Sequence, residues 1–380
     1  MWKTTSILGG MVLLLSVLGI VMLASTSAAQ GELLHHDAAF FLKRQLIWLV
    51  GALFVGGLAS RVNYHVWRPL AIPLLVVCVG LLLAVWVPHV GRGLTKGSHR
   101  WLHLGPLNFQ PSELAKFGVI CWLAWWMTRV RRQAEEVKRG LLVPLAGLGL
   151  MLGLIFLEPD FGTTMLIGVV GLAMMYLGGA RFGHLATAAV SGLVLIALAI
   201  AHNENRMNRF LAFINPERHA KDYAFQLLQS LHAFVMGGAD GVGFGQSLQK
   251  QFYLPEAHTD FIFAILGEEL GLPASLGVLL LFLGLCVCGM RIAFRAADQF
   301  GRLLAFGITL MVTLQAAINI GVVTGCLPTK GLALPFISFG GSSLVVTFAM
   351  VGVLANIARQ TEADPRRDET RYIHDQTHDL

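Results

Sequence analysis

Hydrophobic residues occur along this chain in long runs that shorter polar stretches separate. Many runs approach bilayer length, and a helix satisfies its own backbone hydrogen bonds where lipid offers no partners. The pattern therefore predicts an all-α, polytopic integral membrane protein with about ten transmembrane helices. The predicted spans are residues 7–27, 45–59, 70–87, 114–127, 141–157, 165–178, 185–201, 261–292, 303–325 and 341–357.

The first and the eighth of these runs need separate treatment. The first ends in small residues, as a cleavable signal peptide does, but its apolar core is longer than such peptides carry, so we predict a retained span. The eighth is too long for one crossing, and Glu268, Gly271 and Pro273 interrupt it. We predict a short re-entrant or interfacial helix there, followed by a span that begins near Ala274.

Composition and charge narrow the class of protein further. The chain is 55% hydrophobic and 13% charged, which excludes an ordinary soluble globular protein. It contains no P-loop, no dinucleotide fingerprint and no disulfide or metal-ligand spacing among its cysteines. The net charge of +6 is explained by basic residues in cytoplasmic loops and gives no reason to invoke nucleic acid. Nucleotide-driven chemistry within this chain is therefore not expected.

The distribution of lysine and arginine predicts the orientation. An even number of spans puts both termini on one side, and placing them in the cytoplasm keeps most basic residues inside. Residues 1–357 then form one transmembrane domain, and 358–380 form a cytoplasmic, disordered tail. The opposite face receives the loops 88–112, 158–164, 202–259 and 326–340, of which 202–259, between helices 7 and 8, is by far the longest.

An acidic residue, Asp260, stands where the longest polar loop re-enters hydrophobic sequence. A desolvated, unpaired carboxylate at that position costs several kcal/mol, so it requires solvent, a partner or a function. A solvated interfacial acid is the simpler alternative, but His258 and Glu269 add further polarity and favour a site. His258 either orients Asp260 or caps its helix, and Glu269 either supports the site or pairs with loop bases.

Cations in the other outer loops suit an anionic ligand. Arg100 follows glycine-spaced basic residues, Arg92 and Lys96, and Lys116 lies in the first turn of a predicted helix whose dipole also favours an anion. The alternative for Glu113 and Lys116 is a stabilising pair three residues apart. Gln110 immediately precedes that helix.

Three further segments combine polar residues with an alternative structural explanation. Asp160 in EPDFGTT suits a site, although capping of the next helix explains it as well. Lys330 lies in an irregular apolar loop of the kind tolerated at membrane depth only against protein or a cavity. Gln315 and Asn319, which lie one helical turn apart in the preceding span, are expected to make an interhelical hydrogen bond.

The long loop carries Arg206 and Arg209 between aromatic residues, which predicts an amphipathic interfacial helix that could equally contact lipid headgroups. The glycine-rich stretch that follows is expected to bring Lys250 close to the Asp260 segment.

Four segments that carry most of these residues resemble the SEDS family (shape, elongation, division and sporulation), which includes FtsW and RodA. The resemblance covers about residues 7–357, and YLPEAHTDFIFA with Ala257 is more similar to the division-type FtsW branch than to the rod-elongation branch. One departure is the stretch DYAFQ, ending at Gln226, where the family usually shows Gly-Tyr-Gln. The segments are GSHRWLHLGPLNFQPSELAK, EPDFGTT, GFGQSLQKQFYLPEAHTDFIFAILGEELG and LPTKGLALPFISFGGSS.

The resemblance implies a peptidoglycan glycosyltransferase of the bacterial cytoplasmic (inner) membrane that polymerises lipid II at the outer face during septal synthesis. Asp260 is then the general base, and a divalent cation (Mg or Mn) could help neutralise the diphosphate, with no cofactor certain. Implied partners are lipid II, a class B penicillin-binding protein, other division proteins and membrane lipids. Implied substrate-binding residues are Arg100, Lys116, Lys330, Arg206, Lys250, Gln110, Glu113 and Ser342, supported by His258, Glu269 and Asp160.

Three alternatives remain open at this stage: a lipid II flippase, an elongation polymerase of the RodA type, and a non-enzymatic division scaffold. The polar loops concentrate on one face, whereas alternating access needs a site reachable from both, so the polymerase is favoured over the flippase.

Overall fold

The computed structural model describes residues 2–87, 91, 100–104, 107–220 and 222–362. A helix occupies each of the ten predicted spans, which confirms the all-α membrane fold. The helices are α1 (Trp2–His35), α2 (Phe40–Arg61), α3 (Trp67–Ala84), α4 (Pro111–Arg129), α5 (Val143–Leu157), α6 (Phe161–Leu177), α7 (Phe182–Ala201), α8 (Glu204–Ile214), α9 (Phe225–Gly237), α10 (Ile262–Arg295), α11 (Gln299–Val323) and α12 (Gly341–Glu362).

Eight helices of the described chain are long and apolar enough to cross a membrane, namely α1, α2, α3, α5, α7, α10, α11 and α12. Of the other two predicted spans, α6 is a shorter apolar helix, and α4 carries Glu113 and Lys116 in its first turns. Both pack inside the bundle, where neighbouring helices rather than lipid surround much of their length. The chain is therefore a multi-pass membrane protein.

Helices α11 and α12 lie at the centre of the bundle, where 61% and 67% of the residues in their most apolar stretches are buried. Helix α7 is peripheral, with 6% buried. Helix α1 belongs to this bundle: Leu15 and Met22 are fully buried in the core. The backbone of α12 packs closely on α2, and a Cβ added to Gly56 would lie 2.8 Å from the Phe348 carbonyl oxygen.

Helix α10 breaks at Gly271, whose φ of 71° and ψ of −165° are not helical. A Cβ at this position would lie 2.6 Å from the Ala239 carbonyl oxygen, so both the backbone angles and the space require glycine. The predicted interruption of the eighth run is confirmed, and Pro273 begins the longer helical part after it. The short part before the break, 262–270, is almost entirely buried in protein.

The predicted amphipathic helix of the long loop is two helices, because Pro216 starts a separate 3₁₀ turn between α8 and α9. After α9, a glycine-rich turn and a π-turn (Gln249–Tyr253) lead to Asp260. A two-stranded antiparallel hairpin, β1 (Leu102–Leu104) with β2 (Leu107–Phe109), was not predicted. It precedes α4 directly and so fixes where that helix begins.

Opposite ends of the bundle carry different polar contacts. At one end the Tyr64 hydroxyl donates to Asp298 Oδ1 at 2.6 Å, and Asn356 Nδ2 donates to the Ser60 carbonyl at 3.0 Å. Helix α12 continues to Glu362, past the predicted end of the membrane domain at 357, and the predicted tail from 363 onward lies outside the described residues. At the other end, described residues of the four predicted outer loops contact one another: Arg100 Nε donates to the Glu158 carbonyl, and Ser338 Oγ donates to the Thr259 carbonyl.

Candidate active site

The described residues line a cavity of about 330 Å³ at the end of the bundle where the predicted outer loops meet. Its walls come from the long loop, from the segment before α10 and from the loop between α11 and α12. Asp260 and Lys330 both border it. The other lining residues are Arg209, Asp222, Tyr223, Phe225, Gln226, Pro255, Phe261, Thr329 and Gly331.

The backbone around Asp260 is fixed by hydrogen bonds from two elements. Asn319 Nδ2 donates to the Asp260 carbonyl at 2.8 Å and to the Leu332 carbonyl at 2.6 Å. Ser338 Oγ donates to the Thr259 carbonyl at 2.6 Å. The predicted interhelical hydrogen bond of Asn319 is therefore wrong. Its side chain instead connects two cavity-lining loops to α11.

His258 has a packing role beside the cavity. It is buried, its ring centroid lies 4.9 Å from that of Phe41, and its carbonyl accepts from Phe339 N at 3.1 Å. The N-cap residue of α10 is Phe261, whose side chain makes no capping hydrogen bond. The His258 ring fixes the loop against α2 and the segment before α12.

The Asp260 carboxylate lies against Gly331, and a Cβ at that glycine would stand 2.9 Å from Oδ2. We expect Gly331→Ala to displace the short Asp260 side chain and to lower the polymerisation that the family resemblance implies by roughly tenfold or more, since misplacing a catalytic group by about 1 Å is costly. The matched control is Gly340→Ala in the same loop, where the nearest atom would be 3.7 Å away. Initial rates at equal melting temperature measure the effect, and equal rates for both variants would contradict it.

Lys330 presents a cation to the same cavity. Within the described part of the chain, its ammonium has one hydrogen-bond partner, Met165 Sδ at 2.6 Å, and a thioether is a weak acceptor. Burial lowers the pKa of the Lys330 ammonium. Two of its three N–H groups are thus available to an anion, which fits the predicted substrate contact.

A second polar cluster, formed by Arg100, Gln110, Asp160 and Ser342, lies beside the α5–α6 turn. Asp160 caps α6 by accepting from Thr163 N at 3.2 Å, so the structural alternative is confirmed for it. Arg100 Nε donates to the Glu158 carbonyl at 3.0 Å, and its Nη2 donates to the Pro159 carbonyl.

Gln110 joins this cluster to α12. Its Nε2 lies 3.4 Å from Asp160 Oδ2, and its backbone N donates to Ser342 Oγ at 3.1 Å. Ser342 Oγ in turn donates to the Asn108 carbonyl at 3.2 Å. Gln110 and Ser342 therefore fix β2 and the start of α4 against α12, and neither borders the described cavity.

Glu158 lies beside this cluster, and the sequence analysis did not identify it as a site residue. It is fully buried, and neither carboxylate oxygen has a hydrogen-bond partner among the described residues. Desolvation, and secondarily the charge of Asp160, raise the pKa of Glu158 to about 8, although Arg100 opposes the shift. Glu158 is therefore mainly protonated at neutral pH.

We expect Glu158→Gln to change how stability depends on pH. The folded protein holds a proton that the unfolded chain loses near pH 4.5, so wild-type stability falls between about pH 4.5 and 8 and levels off above. The amide cannot ionise, so the melting temperature of the variant should rise relative to wild type across that window, by the equivalent of about 5 kcal/mol at its upper end. Thermal unfolding in detergent at several pH values tests this, and a pH-independent difference would contradict it.

The predicted diphosphate contact of Lys116 is not supported. Its side chain is 1% exposed, and its ammonium donates to Glu113 Oε1 at 2.8 Å and to Gln315 Oε1 at 2.8 Å. Gln315 Nε2 in turn donates to the Ala333 carbonyl at 2.8 Å. Glu113 and Lys116 form the predicted pair, but as a buried ion pair that joins α4 to α11 rather than a surface pair.

The predicted substrate contact of Lys250 is also not supported. Its ammonium donates to Glu269 Oε1 at 2.7 Å, to Ser25 Oγ at 2.8 Å and to the Gly245 carbonyl at 2.7 Å. Three partners use all three N–H groups, so none is left for substrate. Glu269 pairs with a loop base, as one alternative proposed, and thereby joins the π-turn to α10 and α1.

Arg206 stacks on aromatic rings instead of bordering the cavity. Its guanidinium lies 4.1 Å from the centroid of the Phe161 ring and 5.2 Å from that of Phe156, which is cation–π geometry. The predicted substrate contact is therefore not supported for this side chain.

The cavity includes Arg209 and Asp222, which the sequence did not identify as site residues. The signal for Arg209 was its alternation with aromatic residues, which describes an interfacial helix equally well. The described residues contain no group of three or more His, Cys, Asp or Glu that could hold a metal ion. The site is thus a loop-covered cavity with two carboxylates and two cations.

This fold and cavity define a class: a polytopic membrane protein with a charged cavity under its loops at one end of the bundle. The family model FTSW_RODA_SPOVE, described as "Cell cycle protein", matches residues 5–363, so the chain belongs to this family. A relative from Geobacter sulfurreducens, described as "Probable peptidoglycan glycosyltransferase FtsW", is 39% identical over 93% of this chain and 95% of its own length.

Solved structures agree with this assignment. A chain of the structure described as "Structural coordination of polymerization and crosslinking by a peptidoglycan synthase complex" is similar with a TM-score of 0.77 and 29% identity, covering 96% of this chain and 99% of that one. The Thermus thermophilus rod shape determining protein RodA has a TM-score of 0.71 and 27% identity, with coverage of 94% and 97%.

Proposed function

We propose that this protein is a peptidoglycan glycosyltransferase of the FtsW type, which polymerises lipid II into β-1,4 glycan strands during septal wall synthesis. The observation that carries the proposal is that Asp260 and the partly buried cation Lys330 line the same cavity. The names of the relatives support the reaction class. The distribution of basic residues supports an orientation with both termini in the cytoplasm and the cavity facing outward.

In the proposed reaction, the acceptor sugar hydroxyl attacks the anomeric carbon of the donor while Asp260 takes the hydroxyl proton. A new C–O bond forms, the bond from that carbon to the diphosphate oxygen breaks, and the linkage inverts from α to β. One carboxylate suffices, because the diphosphate leaves as a stabilised anion that needs charge neutralisation more than a proton. Lys330 supplies part of that neutralisation.

A divalent cation can share the neutralisation. Since the described residues offer no three-ligand group, such an ion would take most of its ligands from the diphosphate and water. Omission of Mg and Mn with a chelator would then slow polymerisation. A class B penicillin-binding protein is the proposed partner, supported by the peptidoglycan synthase complex to which a similar chain belongs.

The deciding experiment supplies purified wild-type protein with lipid II in the presence of a class B penicillin-binding protein whose active serine is removed. We expect long glycan strands. The flippase alternative predicts no strands and instead movement of lipid II across liposome membranes, measured in parallel. A scaffold predicts neither activity, and filamentation against rounding of cells that lack the gene separates the division role from the elongation role.

A further inference from the structure

The cavity carries more positive charge than the general-base proposal uses. Of the cations predicted to bind substrate, Arg100, Lys116 and Lys250 donate their hydrogen bonds to protein groups. In the part of the chain that the structure describes, the cations that line the cavity are Lys330 and Arg209. They come from different walls, Lys330 from the loop before α12 and Arg209 from α8.

Arg209 differs from its neighbour Arg206 on the same helix. The Arg206 guanidinium is held over two phenyl rings, whereas the Arg209 side chain is exposed and borders the cavity. An arginine fork is always charged and can donate two parallel hydrogen bonds to one phosphate, which a lysine cannot do. A diphosphate in the cavity would thus meet a point charge on one wall and a planar fork on the other.

We propose that Arg209 binds the diphosphate of the polyprenyl-linked donor together with Lys330. This inference rests on the proposed function and names the group that holds its leaving anion. Two cations match the two negative charges of a diphosphate that carries a substituent at each end. Arg209 is a binding residue in this proposal. It does not touch the acceptor oxygen that forms the new bond to the sugar carbon.

Asp222 provides a second test, in which the affinity for diphosphate should change in the opposite direction. Its carboxylate lines the same cavity and is exposed, so it repels a bound diphosphate. We expect Asp222→Asn to strengthen diphosphate binding by a few-fold while Arg209→Gln weakens it. A merely structural role for both residues in the long loop would weaken binding in both variants.

The experiment measures inhibition of polymerisation by undecaprenyl diphosphate, the released product, in nanodiscs of zwitterionic lipid. We expect Arg209→Gln to raise the inhibitory concentration by tenfold or more and Arg209→Lys to raise it less. Undecaprenyl monophosphate should inhibit more weakly and respond less to the substitution. The matched control is Arg218→Gln, an exposed arginine of the same loop that makes the same charge change without lining the cavity.

Unchanged inhibition of Arg209→Gln, at a melting temperature equal to wild type, would overturn the inference. An Arg209 effect found only in anionic lipid would also overturn it, because the residue would then contact membrane headgroups. Both outcomes leave the proposed function intact, since wild-type strand formation is scored separately. Loss of strands in the wild type would instead reject the function itself.

Discussion

Replacing Asp260 with asparagine should reduce lipid II polymerisation by about 10³-fold, which is within the range for removal of a general base. The amide keeps the size of the side chain and the packing beside Gly331 but cannot accept the acceptor's proton. The surrounding hydrogen bonds of Asn319 and Ser338 go to backbone carbonyls and are unaffected. The variant should therefore fold normally, and glycan strands in a gel assay should be absent.

Two further variants make the Asp260 experiment specific. Asp260→Glu keeps the carboxylate but moves it, so partial activity is expected. Asp240→Asn makes the same chemical change at an exposed position of the same long loop and should polymerise at the wild-type rate. Full activity of Asp260→Asn would falsify the general-base role.

Replacing Lys116 with methionine should destabilise the protein by about 3–5 kcal/mol, because the Glu113 carboxylate would remain buried without its partner. Methionine retains much of the side-chain volume, so the expected loss comes from the unpaired charge. The melting temperature in detergent, followed by tryptophan fluorescence, measures the effect. Gln315 would lose one hydrogen bond in the same variant.

The buried pair can be separated from any substrate role by a second substitution. Glu113→Gln together with Lys116→Met removes the unpaired charge and should recover most of the melting temperature. The control is Lys43→Met, which breaks an exposed pair with Asp37 and should leave the melting temperature nearly unchanged, because solvent screens such pairs. A Lys116→Met protein as stable as Lys43→Met would show that the pair does not hold α4 to α11.

Much of the candidate site could be predicted because it lies in short, distinctive segments. Asp260 was identified as an acid where a polar loop re-enters apolar sequence, and Lys330 as the single lysine of an irregular apolar loop. The structure places both at one cavity. Lys116 and Lys250 were misassigned for a common reason. A sequence shows that a cation is present but not which distant acceptor uses its N–H groups.

The sequence alone determined where the helices lie and where one of them breaks. Long apolar runs must form helices because lipid supplies no hydrogen-bond partners, and Gly271 with Pro273 cannot continue a regular helix. The tertiary structure decided which charges remain available to a substrate. Lys116 donates to Gln315 across 199 residues and Ser25 donates to Glu269 across 244, so hydrogen bonds that only the packing of the bundle creates occupy these charged side chains.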